Sequence, residues 1–414
     1  MNKKHMVIVG GGFAGIAAAL ACAERLVKHV TITLITATPH FEYHAALYRL
    51  VTGSSSTEVC IPLHEIFAGK NVEVVEDRIT DLDRDGKVVV GSSGVRYSYD
   101  YLILALGSET NYFGVPGLKE YSYGMKSIAE ALRLKEHISD VLLTCKIDDA
   151  NKTDQVCNAN FVVIGAGATG VEMAGQLIVY ARELAKEHGL DPALVSVELI
   201  EGAGKIIPSL PARFTDRIEH HLRGLGVNIF LNRMIEREEI EGIYLGDMSM
   251  KARTVIWTAG VKANAVYERW KLPINKQGKV EVDEHLRLHF DPDVFIAGDG
   301  AATKYSGWAQ TAVYDGEHIE RVVESDLKQK SMPVYDPPPP MNAIPAGPQW
   351  AAILWGNKRF YGRIGWWLRR LADLRSFLGI LSPIKAWKVF KNGSSICDNC
   401  GICSVEKHSA PHEA

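Results

Sequence analysis

The amino-acid sequence predicts an α/β protein of two doubly wound domains, one inserted in the other, followed by a C-terminal amphipathic helical segment. Three observations predict it. A unit of strand, glycine loop, helix and strand occurs twice, roughly 155 residues apart; an apolar strand ending in Gly298-Asp299 lies well beyond the second unit; and a proline run precedes a last segment rich in Trp and Arg.

The first unit begins His5-Met-Val-Ile-Val-Gly-Gly-Gly-Phe-Ala-Gly15 and the second Asn160-Phe-Val-Val-Ile-Gly-Ala-Gly-Ala-Thr-Gly170. Each runs from a short apolar strand through G-x-G-x-x-G into an alanine-rich helix. A β-branched strand follows each, over residues 30–36 and 195–201. This spacing is a βαβ unit, which requires parallel strands and a right-handed crossover. The strand over 294–299 is not needed by the second unit and is assigned back to the first sheet. The first domain therefore spans 1–120 and 275–332, with 121–274 inserted. Residues 333–348, with four consecutive prolines at 337–340, read as a stiff linker, and 349–414 as a separate segment.

A chain of 414 residues exceeds one ordinary core, and 47% apolar with 23% charged residues is a globular balance. A net charge of −3 gives no basis for nucleic-acid binding. The opening Met1 to His5 runs straight into the first strand, leaving no space for a signal peptide. No run of about 20 apolar residues is present to span a bilayer. A cytoplasmic protein is expected.

A lone G-x-G-x-x-G is weak, but each copy here sits between a strand and a helix, the context of a Rossmann-type dinucleotide site. Gly10 and Gly165 permit the tight turn, Gly12 and Gly167 admit a pyrophosphate to the backbone, and Gly15 and Gly170 allow close helix packing. The helix N-terminus then supplies N–H groups and a positive dipole. At the end of the following strand, Glu201 can accept a ribose 2′-hydroxyl and would repel a 2′-phosphate, which favours NADH; Arg233 or Lys205 would be the residues to rescue a phosphate. The matching residue of the first unit is Thr36, a weaker ribose partner. Asp299, at a strand end above the first glycine loop, suits the ribityl hydroxyls of a flavin, and an ordinary Asx turn is its plain alternative.

These features combine with Tyr101-Leu-Ile-Leu-Ala-Leu-Gly107, Gly170-Val-Glu-Met-Ala-Gly175, Val255-Ile-Trp-Thr-Ala-Gly260 and Ala309-Gln310-Thr311-Ala312. Together, over residues 5 to 380, the chain resembles the type II NADH:quinone oxidoreductases (alternative NADH dehydrogenases), within the FAD- and NAD(P)-binding pyridine nucleotide–disulfide reductase-like superfamily. The resemblance implies FAD on the first loop, with Gly10, Gly12, Phe13, Ala14 and Gly15 at its pyrophosphate, Ala105, Leu106 and Gly107 beside the flavin, and Asp299 on its ribityl chain. It implies NADH on the second loop, with Gly260 near the nicotinamide. Glu172 matches a glutamate between the flavin and nicotinamide rings, and Ala309 and Gln310 match the pair facing the quinone; these make Glu172 and Gln310 the candidate catalytic residues. Three departures stand out: Thr36 replaces an acid, Tyr314-Asp315 replaces two amides, and Ala346-Gly347 replaces a lysine-glycine pair.

Disulfide chemistry would need a dithiol near the flavin, whereas Cys22 and Cys60 stand alone and Cys145 and Cys157 precede the second loop. Between residues 346 and 393 nine Lys or Arg face one acid, Asp373, and five of the eight tryptophans occur there. Apolar residues at 364, 367, 368, 371, 374, 377 and 378 keep helical spacing. Such a helix suits a lipid bilayer surface, or alternatively the core or a homodimer partner. The expected location is peripheral, on the cytoplasmic side of the cell membrane. Cys397-x2-Cys400-x2-Cys403 has the spacing of a zinc set or part of an iron–sulfur set, and equally of a lipidated or reactive tail; no metal site is assigned to it. The expected activity is hydride transfer from NADH to FAD and then two electrons to a membrane quinone, without proton pumping. A soluble FAD enzyme with another acceptor, and a redox-sensing protein that binds NADH and FAD, are the alternatives.

Overall fold

A computed structural model describes residues 3–150 and 159–392. Cys157 and the tail cysteines Cys397, Cys400 and Cys403 lie outside the described residues. Strand Lys4–Val9 is buried over its last four residues and pairs in parallel with Val30–Thr36 on one side and Tyr101–Leu104 on the other. Apolar side chains on both faces of a strand are what a sheet covered by helices on both sides demands. The six-stranded sheet runs in the order Arg287–Leu288, Asp291–Ile296, Tyr101–Leu104, Lys4–Val9, Val30–Thr36, Glu73–Glu76. Strand Asp291–Ile296 pairs in parallel with Tyr101–Leu104, Val294 opposite Leu102 and Ile296 opposite Leu104. The chain thus leaves this sheet after Leu104 and returns to it only at Arg287.

Between the two passages lies an all-parallel four-stranded sheet in the order Val227–Phe230, Val195–Ile200, Ala159–Ile164, Thr254–Trp257. Each glycine loop leads into a helix, Phe13–Arg25 in the first sheet and Ala168–Glu187 in the second. The helix Ala309–Leu327 packs along Phe13–Arg25 at Gly316, where a Cβ would meet the Ala14 carbonyl oxygen at 2.6 Å and the Ala18 nitrogen at 2.5 Å. That close crossing ties the last part of the first domain to the helix of its glycine loop.

Two expectations for the C-terminal part need correction. The stretch read as a stiff linker ends in strand Asn342–Pro345, which pairs with Ala351–Trp355, itself paired with Lys358–Phe360. Ile344 and Ala346 are buried, so this end of the stretch is packed structure; Pro345 is tolerated because its strand lies at the sheet edge. The second correction concerns charge. Helix Gly362–Ile380 forms as the spacing predicts, but Arg369 and Arg370, two of the nine basic residues counted toward a bilayer surface, are 6% and 5% exposed, and Asp373 is fully buried. The outward residues are Ile364, Trp367, Leu371 and Leu378, continued on helix Pro383–Asn392 by Ile384 and Trp387. Among the described residues no helix is long and apolar enough to cross a membrane.

Candidate functional site

At the first loop, Gly10 has φ +118°, and a Cβ there would run into the Ala105 carbonyl oxygen. The loop can therefore lie against the end of Tyr101–Leu104 only with glycine at this position. A Cβ on Gly15 would strike the Gly10 oxygen, which draws the helix back onto its own turn. Gly12 is different: a Cβ there would meet nothing within 4 Å. The second loop repeats the pattern. Gly165 at φ +99° abuts Ala259, Gly170 abuts the Gly165 oxygen, and Gly167 faces open space. Neither helix has an acidic residue in its first turn, so neither positive dipole end is opposed from within its own helix beside the open glycine. A phosphate fits both cradles.

Other side chains gather at the first cradle. Phe13 packs edge-on against Phe41, ring centroids 4.9 Å apart, and Ala14 lies beneath Gly298. Asp299 sits in the single helical turn Gly298–Gly300; its Oδ2 accepts from Ser108 Oγ at 2.6 Å and lies 3.6 Å from Lys126 Nζ. The Ala105 nitrogen donates to the Val9 oxygen and the Leu106 nitrogen to Tyr267 Oη at 3.2 Å, while Gly107 takes a positive φ. Thr36 is buried with its Oγ1 against Gly11, where a Cβ would come within 2.8 Å of it. Its hydroxyl therefore supports the underside of the loop.

At the second cradle, the Glu201 carboxylate accepts from the Ala166 nitrogen at 2.8 Å and the Ala203 nitrogen at 2.9 Å. It lies within the loop it was expected to serve. Arg233 is paired with Asp247, and Lys205 donates to the Leu210 oxygen, so both cations considered for a 2′-phosphate are engaged elsewhere. Gly260 lies beneath the exposed ring of Phe113.

Glu172 projects from the second-loop helix toward the segment that follows the first unit. Burial pushes its carboxyl up to about 8, while Arg369 and Arg49 pull down and Asp373 adds to the rise. Those neighbours form a buried ionic network that the sequence reading missed. Asp373 accepts from Tyr43 Oη at 2.8 Å, from Arg49 at 2.9 Å and from Arg369 and Arg370. Glu58 accepts from Arg49 and Arg370. Three guanidiniums face two carboxylates, and Glu172 stands beside the unbalanced charge. Gln310, in the first turn of Ala309–Leu327, is solvent-exposed. Its Nε2 donates to the Met341 oxygen at 3.0 Å and its Oε1 accepts from the Met341 nitrogen at 3.1 Å. At the expected lysine-glycine position, Ala346-Gly347 packs onto Gly175 of the second-loop helix, at 2.7 Å from where a Cβ would lie.

The sequence pattern of the pyridine nucleotide-disulphide oxidoreductases matches residues 4–316. The chain is 31% identical over 345 residues to the type II NADH:quinone oxidoreductase Ndh of Mycobacterium tuberculosis, covering 79% of this chain and 73% of that one. The chain belongs to the type II NADH:quinone oxidoreductase family. It is therefore an oxidoreductase, of the NADH dehydrogenase kind. The type II NADH:quinone oxidoreductase of Staphylococcus haemolyticus is 27% identical over 79% of this chain and 83% of its own length. Among solved structures, NDH2 of Plasmodium falciparum in complex with NADH superposes with a TM-score of 0.84 at 16% identity, over 96% of this chain and all of that one. The sulfide:quinone oxidoreductase of Aquifex aeolicus gives 0.75 at 18% identity, over 94% and 92%. At these identities the two structures speak for the fold.

Proposed function

We propose that this protein is a peripheral membrane flavoenzyme that oxidises NADH and reduces a membrane quinone without pumping protons. One observation carries the reading: two glycine cradles open to phosphate, with Glu172 on the second helix set against the segment that follows the first. Gly12, Phe13 and Ala14 would hold the pyrophosphate of FAD, Asp299 its ribityl chain, and Ala105 to Gly107 the edge of its ring. Gly167 and Glu201 would hold the adenosine half of NADH, with Gly260 at the nicotinamide. FAD held there would supply the hydride acceptor for NADH and the two-electron donor for the quinone; the protein contributes alignment and charge.

Glu172 is suited to hold a proton at neutral pH, since burial favours its neutral form, and Arg49 and Arg369 keep that proton exchangeable. Gln310 and the adjoining Met341 backbone would flank the acceptor. The outward face of Ile364, Trp367, Leu371, Ile384 and Trp387, with exposed Arg363, Arg375 and Lys388 around it, has the chemistry of an interfacial surface. Lipid is the occupant we favour over a homodimer partner, because the quinone dissolves there. Steady-state NADH oxidation with and without a short-chain quinone tests the reading. Quinone-dependent turnover with NADH far exceeding oxygen-dependent turnover is expected. Rates unchanged by quinone would favour an enzyme with another acceptor, and no turnover at all a binding protein.

A further inference from the structure

Three elements meet beneath the turn that carries Asp299. Gly298, at φ +73°, lies over Ala14 of the first-loop helix, where a Cβ would come within 3.4 Å of the Ala14 Cβ. The Gly298 nitrogen donates to Asp315 Oδ2 at 2.9 Å. Asp315 belongs to helix Ala309–Leu327 and is fully buried next to Gly316, the point of closest approach to Phe13–Arg25. Its second oxygen, Oδ1, accepts from Tyr335 Oη at 2.5 Å. A buried carboxylate with a donor on each oxygen fixes both donors in direction as well as distance.

Tyr335 opens the proline-rich stretch, and that stretch is strapped across the start of the same helix. Its ring stands against those of Tyr314 and His318, at 5.7 and 5.2 Å between centroids. Tyr314 Oη donates to the Asp336 oxygen, and Gln310 exchanges two hydrogen bonds with Met341. At the other end the Tyr335 nitrogen donates to the Glu284 oxygen. Helix positions 310, 314 and 315 therefore each grip the strap, but only Asp315 passes the grip on to the Asp299 turn.

We propose that Asp315 and Tyr335 are positioning residues for the flavin site. Tyr335, held by the strap, orients the Asp315 carboxylate; Asp315 holds the Gly298 N–H; and this sets the Asp299 carboxylate at the ribityl chain. The inference rests on the assignment of Asp299 to the flavin. Both residues act through the Gly298 N–H, so the effect should fall on flavin retention and not on any one chemical step.

The test measures FAD dissociation from the purified holoprotein by recovery of flavin fluorescence. Asp315→Ala, which removes both bonds, should raise the dissociation constant about tenfold or more, the scale of a charge-assisted hydrogen bond. Asp315→Asn, which can still accept from Gly298 and donate to the tyrosine oxygen, should restore most of the affinity. Tyr335→Phe, a single-atom deletion on the strap, should raise the constant several-fold; Tyr314→Phe, which cuts a strap contact that does not reach Gly298, should leave it within twofold. Amide exchange at Gly298 should quicken in Asp315→Ala and Tyr335→Phe and stay unchanged in Tyr314→Phe. Asp299→Ala is measured alongside. If it keeps its FAD, the ribityl assignment fails. If it loses FAD while folded Tyr335→Phe and Asp315→Ala retain it within twofold of the parent, the positioning role is refuted. Should Asp315→Ala fail to fold, Tyr335→Phe alone decides, by the same limits.

Discussion

Replacing Asp373 with Asn probes how the C-terminal helix is held. Asp373 is fully buried and accepts from Tyr43, Arg49, Arg369 and Arg370. The substitution keeps the volume and removes the charge, leaving three guanidiniums with Glu58 as the remaining carboxylate of the network. Breaking a buried ion pair on one side costs about 3–5 kcal/mol, because the partner charge stays desolvated. For domains of this size that corresponds to a fall in Tm of roughly 6–20 °C. The matched control is Arg375→Ala, an exposed residue of the same helix, expected to change stability by about 0.5 kcal/mol or less. Unfolding of the FAD-loaded protein in urea, followed by tryptophan fluorescence, reads both. If Asp373→Asn unfolds alongside Arg375→Ala, the network does not anchor the helix. A second consequence is directional. Asp373 contributes to the raised proton affinity of Glu172, so the substitution should lower the Glu172 pKa.

Further outcomes follow from the same geometry. Trp367→Asp with Leu371→Asp should abolish most binding to anionic liposomes without loss of fold; flotation unchanged by the pair would assign that face to a protein partner. Reversing Arg370 should instead destabilise the protein, because it sets a carboxylate against Glu58 and Asp373, and a folded variant that merely loses liposome binding would contradict its burial. Glu201→Gln should narrow the NADH-to-NADPH ratio of kcat/KM by about tenfold, the worth of a charge-assisted bond; an unchanged ratio places the ribose elsewhere. Glu172 has its pKa raised in the fold to about 8, so its stabilising contribution is complete below the unfolded value near 4.5 and is lost as pH rises through 8. Glu172→Gln should remove that loss, up to about 1.4 kcal/mol per pH unit between those limits. Parallel stability–pH curves for the parent and the variant would show that burial does not hold the proton.

Much of the frame was legible in the sequence because it is written in local spacing. A glycine loop between a strand and a helix announces its own turn, and the burial of Val294 to Ile296 follows from a continuous apolar run. The two open glycines and the acid-free first turns sit where the pattern puts them. What the sequence hid depends on partners far apart along the chain. The spacing of apolar residues in Gly362–Ile380 identifies a helix but not which side faces inward; Arg369 and Arg370 point to the core because Asp373 and Glu58 neutralise them and the Ala45 oxygen accepts from Arg369, Glu58 and Ala45 lying more than 300 residues away along the chain. Asp315 read only as a departure from two amides, since its use depends on Gly298 and Tyr335 reaching it from either side. The proline run did read as stiff, yet its last residues form an edge strand, because Ile344 has a buried place beside Ala352.

The most direct measurement of the proposed function is anaerobic rapid mixing in two stages. NADH added to the yellow protein should bleach the flavin absorbance with one equivalent of NADH per FAD. A short-chain quinone added next should restore the absorbance at a rate no slower than steady-state turnover. Bleaching by NADH followed by no reoxidation with quinone would contradict the assignment of the acceptor, and a flavin that NADH does not bleach would contradict the two-cradle reading itself.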